Sequence, residues 1–325
     1  MNNPVISVIT PIYNSAKYIN NFIDNFNKAN QKKIAELILV DDGSTDNTVD
    51  LIKQQIKLDA PIKLFTQHHQ FQSAARNLGM KYANGTYYLF LDADDTFDFH
   101  LFNILLTNIK DNDLVICGIN RVLQNNTLIL NNSVLEGSKS KEEIAKRFLL
   151  DRDQMDSGLW NKLFKASIIK KNNLSFTNKN FVEDILFVFK YLMVINPSKI
   201  KFIHEPLYTY YQNSGTTTTT YYPELDSLAE SYVDQVRKCL INTRIKDSDL
   251  LIINTAIRTE MYVIHRHILG DSNWNSQKQK VFVKHLKKQF TNTQLLPIKY
   301  KIGLWTMQYL PVTYIQIYQL YKRVH

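Results

Sequence analysis

The sequence predicts an α/β fold in which a mostly parallel sheet is flanked by helices, followed by a helical C-terminal extension. Three observations carry this reading. Short apolar runs alternate with amphipathic stretches through the first third, acidic turns fall directly after two of those runs, and the spacing of apolar residues is helical from residue 225 onward.

The strands of the first third are Val5–Thr10, Glu36–Val40, Ile62–Thr66 and Tyr87–Leu91, all short and rich in β-branched or aromatic residues. Between them Ala16–Ala29, Asp46–Leu58 and Gln72–Ala83 place apolar residues at helical spacing. Strands that alternate with helices run parallel and are covered on both faces. Sheets of this kind bind ligands outside the carboxyl ends of their strands. Asp113–Gly118 reads as a fifth strand and Asn120–Leu130 as an edge strand or hairpin. Lys141–Leu150 reads as a helix, and Phe181–Ile195 as a strongly apolar one whose first turn holds Glu183 and Asp184. Lys201–His204 and Leu207–Tyr211 follow as short strands. Five consecutive threonines, Thr216–Thr220, mark a loop, with Pro223 opening the next helix. The expected division is therefore 1–215 for a catalytic domain and 216–325 for a helical region, with helices over Leu225–Leu240, Leu250–Leu269 and Gln277–Phe290.

A length of 325 residues suits one large domain with an appendage, and 44% hydrophobic with 21% charged residues is ordinary for a folded chain. Cys117 and Cys239 are the only cysteines, without CxxC or Cys/His ligand spacing, which argues against a disulfide framework or a zinc site and fits a reducing cytoplasm. The first residues, MNNPVISVITPIYNS, lack a basic leader and read as a buried strand, not a signal peptide. The net charge of +9 is localised. Ser272–His325 carries nine Lys/Arg and no acidic side chain, which leaves 30 basic against 30 acidic residues elsewhere. An anionic partner would therefore meet the tail.

The densest chemistry is Asp92-Ala93-Asp94-Asp95, directly after the strand YYLFL. Three carboxylates in four residues repel one another unless a cation sits among them, and hard oxygen ligands suit Mg²⁺ or Mn²⁺ held together with substrate phosphates. The alternative is a helix start, with Asp95 and Thr96 capping a helix near Phe97. A second acidic turn, Asp41-Asp42-Gly43-Ser44-Thr45-Asp46, follows the second strand; Asp42 and Ser44 read as serving the turn, Ser44 or Asp46 as capping the next helix, and Asp41 as the residue placed to accept hydrogen bonds from a ligand. The stretch after the first strand, TPIYNSA, contains no glycine, which excludes a GxGxxG dinucleotide site, and no Walker motif occurs. Phosphates would then be handled by a metal and by cations such as Arg76. His204 and Gln212, and the loop pair His68-His69, are further candidates to reach a metal or phosphate.

Taken together, VISVITPIYN, LILVDDGSTDNT, SAARNLGMKYANGTYYLFLDADD, WNKLF and VEDILF occur in an order and at spacings that resemble family 2 glycosyltransferases of the GT-A fold, over roughly residues 4 to 215. The resemblance implies that Thr10, Pro11 and Tyr13 line the nucleobase and ribose pocket and that Asp41 accepts from uracil N3. It further implies that Arg76 holds the base or phosphate side of UDP, that Asp92, beside Ala93, faces the ribose, and that Asp94 ligates the metal. Asp184 would be the catalytic base. The sequence departs from the family before SAARN, where the usual Asn-x-Gly is replaced by the bulkier His68-His69-Gln70-Phe71-Gln72.

The reaction so implied is inverting transfer from a UDP-sugar to a hydroxyl of a glycan or cell-surface polymer, with Mn²⁺ or Mg²⁺ on the diphosphate. Glu183 and Asp184 lie about 100° apart around a helix, so they cannot both aim at one hydroxyl; Asp184 takes the base role and Glu183 supports it. Trp160 and Asn161 are candidates for an acceptor platform, Trp160 equally for the core. An NDP-sugar nucleotidyltransferase would need a glycine-rich basic loop after the first strand, which is missing, and an inactive nucleotide-sugar-binding protein would not need Asp92, Asp94 and Asp184 together. No nucleic-acid motif accompanies the basic tail. That tail holds Ile302–Tyr321, twenty residues without a charge, interrupted by Pro311 and flanked by lysines. It reads either as two short helices packed on the domain or as an interfacial element on an anionic membrane, which would make the protein peripheral on the inner face of the cell membrane.

Overall fold

The computed structural model describes residues 4–56, 61–123, 126–177, 181–212, 224–289 and 296–324. They form two compact units, the first made of Met1–Phe148 with Arg152–Gln212 and the second of Leu149–Asp151 with Asn213–His325. The expected boundary at 215/216, with the threonine run and Pro223, lies outside the described residues.

In the first unit the chain runs β1 (Ile6–Ile12), α1 (Ile19–Ala29), β2 (Ala35–Asp41), α2 (Thr48–Gln55), β3 (Ile62–Thr66), α3 (Phe71–Tyr82) and β4 (Tyr87–Phe90). It continues through β5 (Thr96–Phe97), α4 (Leu101–Ile109), β6 (Leu114–Leu123), β7 (Asn126–Leu130), α5 (Lys141–Asp151), α6 (Gln154–Ser157), β8 (Lys162–Lys165), α7 (Ala166–Lys171), α8 (Glu183–Val194) and β9 (Ile200–Tyr211). Among the described residues nine strands make one sheet in the order β3-β2-β1-β4-β8-β6-β9-β5, with β7 paired to β6. The pairs β2–β3, β1–β2, β1–β4 and β6–β9 are parallel, and β8 lies antiparallel between β4 and β6. This is the α/β architecture the sequence predicts. All seven residues of β2 are buried, as a central parallel strand requires. Ile6, Val8, Leu37, Leu39 and Leu89 from the strands pack with Phe22, Phe26 and Phe102 from the helices in one core.

The stretch Asn120–Leu130 is the hairpin of the two readings the sequence offered, its β6 arm continuous with the fifth strand. Two details differ from the sequence expectation. Lys201–His204 and Leu207–Tyr211 are one strand, β9, with a register shift against β6 around Gly118. No helix starts at Phe97; Thr96–Phe97 instead pairs with β9, and α4 begins at Leu101.

The second unit contains α9 (Leu225–Thr243), α10 (Ser248–Gly270), α11 (Ser276–Gln289), α12 (Ile298–Tyr309) and α13 (Pro311–Val324). Ile257, Met261, Ile264 and Ile268 of α10 share a core with Val283, Leu296 and Met307, against which Leu304, Tyr314 and Tyr318 pack. The tail is thus a pair of helices docked on α10 and α11, divided at Pro311, whose fixed φ suits a first helical position.

Candidate active site

Three neighbouring strands, β2, β1 and β4, end at one edge of the sheet, and the polar residues singled out in the sequence gather there. Strand β1 brings Thr10 and β2 brings Asp41, both buried. Thr10 Oγ1 and Asp41 Oδ1 have no hydrogen-bond partner among the described residues. A buried polar atom without a partner costs about 1–3 kcal/mol, so two at one strand edge are suited to a ligand that satisfies them. The other oxygen of Asp41 accepts from the Ser44 N–H at 3.2 Å, across the turn at Gly43, whose φ of +79° favours glycine. Asn14 ties this turn to the one after β1: its N–H donates to Ser44 Oγ at 2.9 Å, and its Oδ1 accepts from the Thr45 N–H at 2.8 Å. Asp46 accepts from the Thr48 N–H at the start of α2, at 3.0 Å.

Asp42 does not serve that turn. Its carboxylate accepts from Gln67 Nε2 at 2.7 Å and the Gln70 N–H at 2.8 Å, and lies 2.9 Å from His69 Nδ1. It therefore anchors the bulky loop between β3 and α3. The Tyr13 ring stacks at a tilt on His69, 4.5 Å between centroids, and Phe71 meets His69 edge-on at 4.7 Å. Phe71 holds a φ of +66°, unusual for a bulky residue. Pro11 lies half-buried between Thr10 and Ile12 on β1, and His68 is exposed.

The centre of the cluster is Arg76 on α3, a guanidinium only 2% exposed. Its Nη1 lies 2.8 Å from Asp184 Oδ1 and 3.6 Å from Glu183 Oε1, and its Nη2 lies 3.1 Å from Asp92 Oδ1. Burial opposes its charge, but Asp184, Asp92 and Glu183 together raise its pKa above the ordinary arginine range. The structure thus gives Arg76 carboxylate partners. Glu183 is buried and also accepts from Gln72 Nε2. Asp184 keeps 30% of its side chain accessible. Its setting is nevertheless deep enough that burial pushes its carboxyl up to about 7, with Glu183 and Asp92 adding to the shift and Arg76 opposing it. Val182, at the N-cap of α8, has φ +46° and ψ +30°. That is left-handed backbone for a β-branched residue, an outlier of the kind found where a site over-determines the chain.

The Asp92–Asp95 turn is held from its far end. Asp95 is buried; its Oδ2 accepts from the Tyr208 hydroxyl at 2.6 Å and its Oδ1 from the Tyr211 N–H at 2.9 Å. Burial, together with the neighbouring charges of Asp92 and Asp94, pushes Asp95 up to about 8. Asp94 and Asp92 stay partly exposed on either side of the buried Ala93. Among the described residues no three His, Cys, Asp or Glu side chains gather as a metal site, so these solvent-reachable carboxylate oxygens suit a divalent cation only together with substrate phosphates. Asp95→Ala should lower stability by about 1–3 kcal/mol, because the buried Tyr208 hydroxyl and the Tyr211 N–H lose their acceptor. Chemical denaturation of variant and parent checks this.

His204 is not part of this cluster. It is exposed on β9, its Nδ1 2.8 Å from the Asn131 carbonyl oxygen and its Nε2 3.6 Å from Glu136 Oε1. Four strand residues, about 13 Å, separate it from Tyr208, so the expectation that it joins Asp94 is corrected. Gln212 is likewise taken up, accepting from Arg121 Nη2 at 2.6 Å. Trp160 and Asn161 are buried beneath the site. Trp160 stacks on Tyr208 with 4.8 Å between centroids, and Asn161 Nδ2 donates to the Cys117 and Met155 carbonyls. They support the sheet and present no acceptor platform. Gln72 and Tyr208 are the site residues the sequence reading missed. Gln72 stands one helical turn before Arg76, a usable signal, whereas nothing local links Tyr208 to Asp95.

Known proteins share this chain's sequence pattern and fold. The family model for glycosyl transferase family 2 matches residues 7–171. The chain is 29% identical over 234 residues to the cholesterol galactosyltransferase of Borreliella burgdorferi, covering 66% of this chain and 62% of that protein. It is 28% identical over 224 residues to glycosyltransferase GlyG of Streptococcus pneumoniae serotype 4, covering 66% of this chain and 73% of that one. The chain spans about three fifths of the length of the first curated relatives it matches. Its fold is shared with residues 1–349 of S. aureus TarS, solved in complex with UDP-GlcNAc, at a TM-score of 0.65 and 18% identity over 98% of this chain and 92% of that one. With more than half its length matched by the family model, this chain belongs to glycosyl transferase family 2.

Proposed function

We propose that the protein is an inverting glycosyltransferase that moves a sugar from a UDP-sugar to a hydroxyl of a glycan or cell-surface polymer. The observation that carries this reading is the pair of unpartnered buried acceptors, Thr10 Oγ1 and Asp41 Oδ1, at the strand edge that also holds the Arg76–Asp92–Asp184 cluster. Asp41 Oδ1 would accept from the uracil N3–H, and Thr10, Pro11 and the exposed Tyr13 ring would line the nucleobase and ribose pocket. Asp92, beside Ala93, would face the ribose.

Asp94, with Asp92 nearby, would hold Mn²⁺ or Mg²⁺. When bound, such an ion neutralises charge that develops on the diphosphate oxygens as the glycosidic bond breaks. The solved mannosyltransferase PcManGT from Pyrobaculum calidifontis, with which this chain shares its fold at a TM-score of 0.54, is complexed with GDP-Man and Mn²⁺. Asp184 takes the proton from the acceptor hydroxyl. The acceptor oxygen forms the new bond to the anomeric carbon, and the bond to UDP breaks with its electron pair going to the diphosphate. A carboxyl held near neutrality is matched to that role. Glu183, paired with Gln72 and Arg76, orients the base.

A panel of UDP-sugars scored for binding by calorimetry and for hydrolysis, with Mn²⁺ and Mg²⁺ compared, tests the reading. Asp94→Ala should abolish metal-stimulated donor binding and turnover while the fold persists. Full turnover of that variant in the presence of a chelator would show the metal assignment to be wrong.

A further inference from the structure

Helix α12 is apolar on two faces. One face, with Tyr300, Leu304 and Met307, packs on the core built around α10. The other carries Ile298, Ile302, Trp305 and Tyr309, spaced four, three and four residues apart, so they form one stripe. All four remain 54–72% exposed. Leu310, just before the break at Pro311, and Val312, Ile317 and Leu320 on α13 are exposed apolar residues as well. A helix that buries only half of its apolar surface within its own unit presents the remainder to something else, and a contiguous patch of this kind marks an interaction surface.

Charge decides among the occupants. The stripe sits in Ser272–His325, the segment with nine Lys/Arg and no acidic side chain. Lys299, next to Ile298 on the same helix, is exposed. A second copy of the chain docked face to face would set these bases against an equal number of bases, a like-charge arrangement that disfavours association. A lipid surface with negative headgroups complements both features. Aromatic rings sit at headgroup level, aliphatic side chains reach the acyl boundary, and lysines extend to the phosphates. The helices are too short to do more than lie there: 12 residues of α12 extend about 18 Å, against the ~30 Å of a hydrocarbon core. No helix among the described residues is long and apolar enough to cross a membrane.

We infer that the outward face of α12 and α13, centred on Ile302, Trp305 and Tyr309, is a docking surface for an anionic bilayer. This inference is independent of which sugar or acceptor the enzyme uses. The test is flotation of the full chain with phosphatidylcholine vesicles, with and without phosphatidylglycerol, at low and high salt. Binding should require phosphatidylglycerol, and high salt should weaken it by about tenfold or more. Trp305→Ser with Tyr309→Ser should abolish it without changing the melting temperature, since both side chains are exposed. Lys299→Gln should weaken it and leave the salt dependence shallower. Brominated lipids should quench the parent's tryptophan fluorescence and spare the variant's, because Trp160 is buried in the first unit and Trp274 stacks on His267. Failure to float, flotation indifferent to phosphatidylglycerol, or flotation unchanged in the double variant would overturn the inference. So would a concentration-dependent dimer in sedimentation that the same double variant abolishes, which would assign the face to a second copy.

Discussion

Asp184→Asn is expected to cut sugar transfer by about 10²–10⁴-fold, the range for loss of a general base, while UDP-sugar affinity changes little. The substitution is nearly isosteric, and the Asn oxygen can still accept from Arg76 Nη1, 2.8 Å from Asp184 Oδ1 in the parent. Single-turnover rates and donor titrations on the same preparations separate the two effects. The parent should show a matching pH dependence. Asp184 must be ionised to accept a proton, and its carboxyl is pushed up to about 7. The rate should therefore rise with pH through the neutral range and fall below it, and the residual rate of the variant should lack that inflection. Equal losses of donor binding and rate would instead make Asp184 structural. A larger loss for Glu183→Gln than for Asp184→Asn would transfer the base role to Glu183.

The second large effect is on stability. Among the described residues Arg76 is the cation paired with Asp92, Glu183 and Asp184, and Arg76→Met leaves the buried Glu183 and two partly buried carboxylates uncompensated. Breaking a buried ion pair from one side costs about 3–5 kcal/mol. About 3 kcal/mol is expected here, because Asp92 and Asp184 keep about a third of their side chains in water. The pH dependence has a definite sign. Without the guanidinium, which opposes the shift, the folded-state pKa of Asp184 rises further above its unfolded value. Its contribution is then present at low pH and lost as pH rises through the folded value. The variant should lie closest to the parent in denaturation midpoint near pH 5 and fall behind it toward pH 8. Arg76→Lys should be intermediate, since it keeps a charge but loses the fork that reaches three acids at once. A variant with unchanged midpoints at both pH values would refute the central role of Arg76.

The first four strands, the acidic turns after β2 and β4 and the two carboxylates at the start of α8 were legible because each is written in contiguous residues with a clear period or charge pattern. What was not legible depended on contacts distant in sequence. Asp95 reads locally as a helix cap. Its actual partners, Tyr208 and Tyr211, come from β9, more than a hundred residues away. Asp42 reads as a turn residue, and only the folded chain brings it under the His69 loop. Strand β8 escaped notice because Lys162–Lys165 is four residues long, too short for a period to declare itself. His204 was credible as a ligand by residue type alone, and its position on the extended strand removes it.

The left-handed backbone at Val182 bears on how this chain can diverge. What residue 182 must supply is a φ near +46°, so that the next two residues enter α8 with their carboxylates toward Arg76. That demand is blind to side-chain chemistry. Lineages could exchange valine for asparagine or glycine there and relieve strain without touching the acids. Proline, with φ fixed near −65°, would turn both carboxylates away while leaving the VED-like acidic pair intact to the eye. A homologue that keeps Glu183 and Asp184 but carries proline before them would be a candidate for lost catalysis that a residue-by-residue motif search would pass as active.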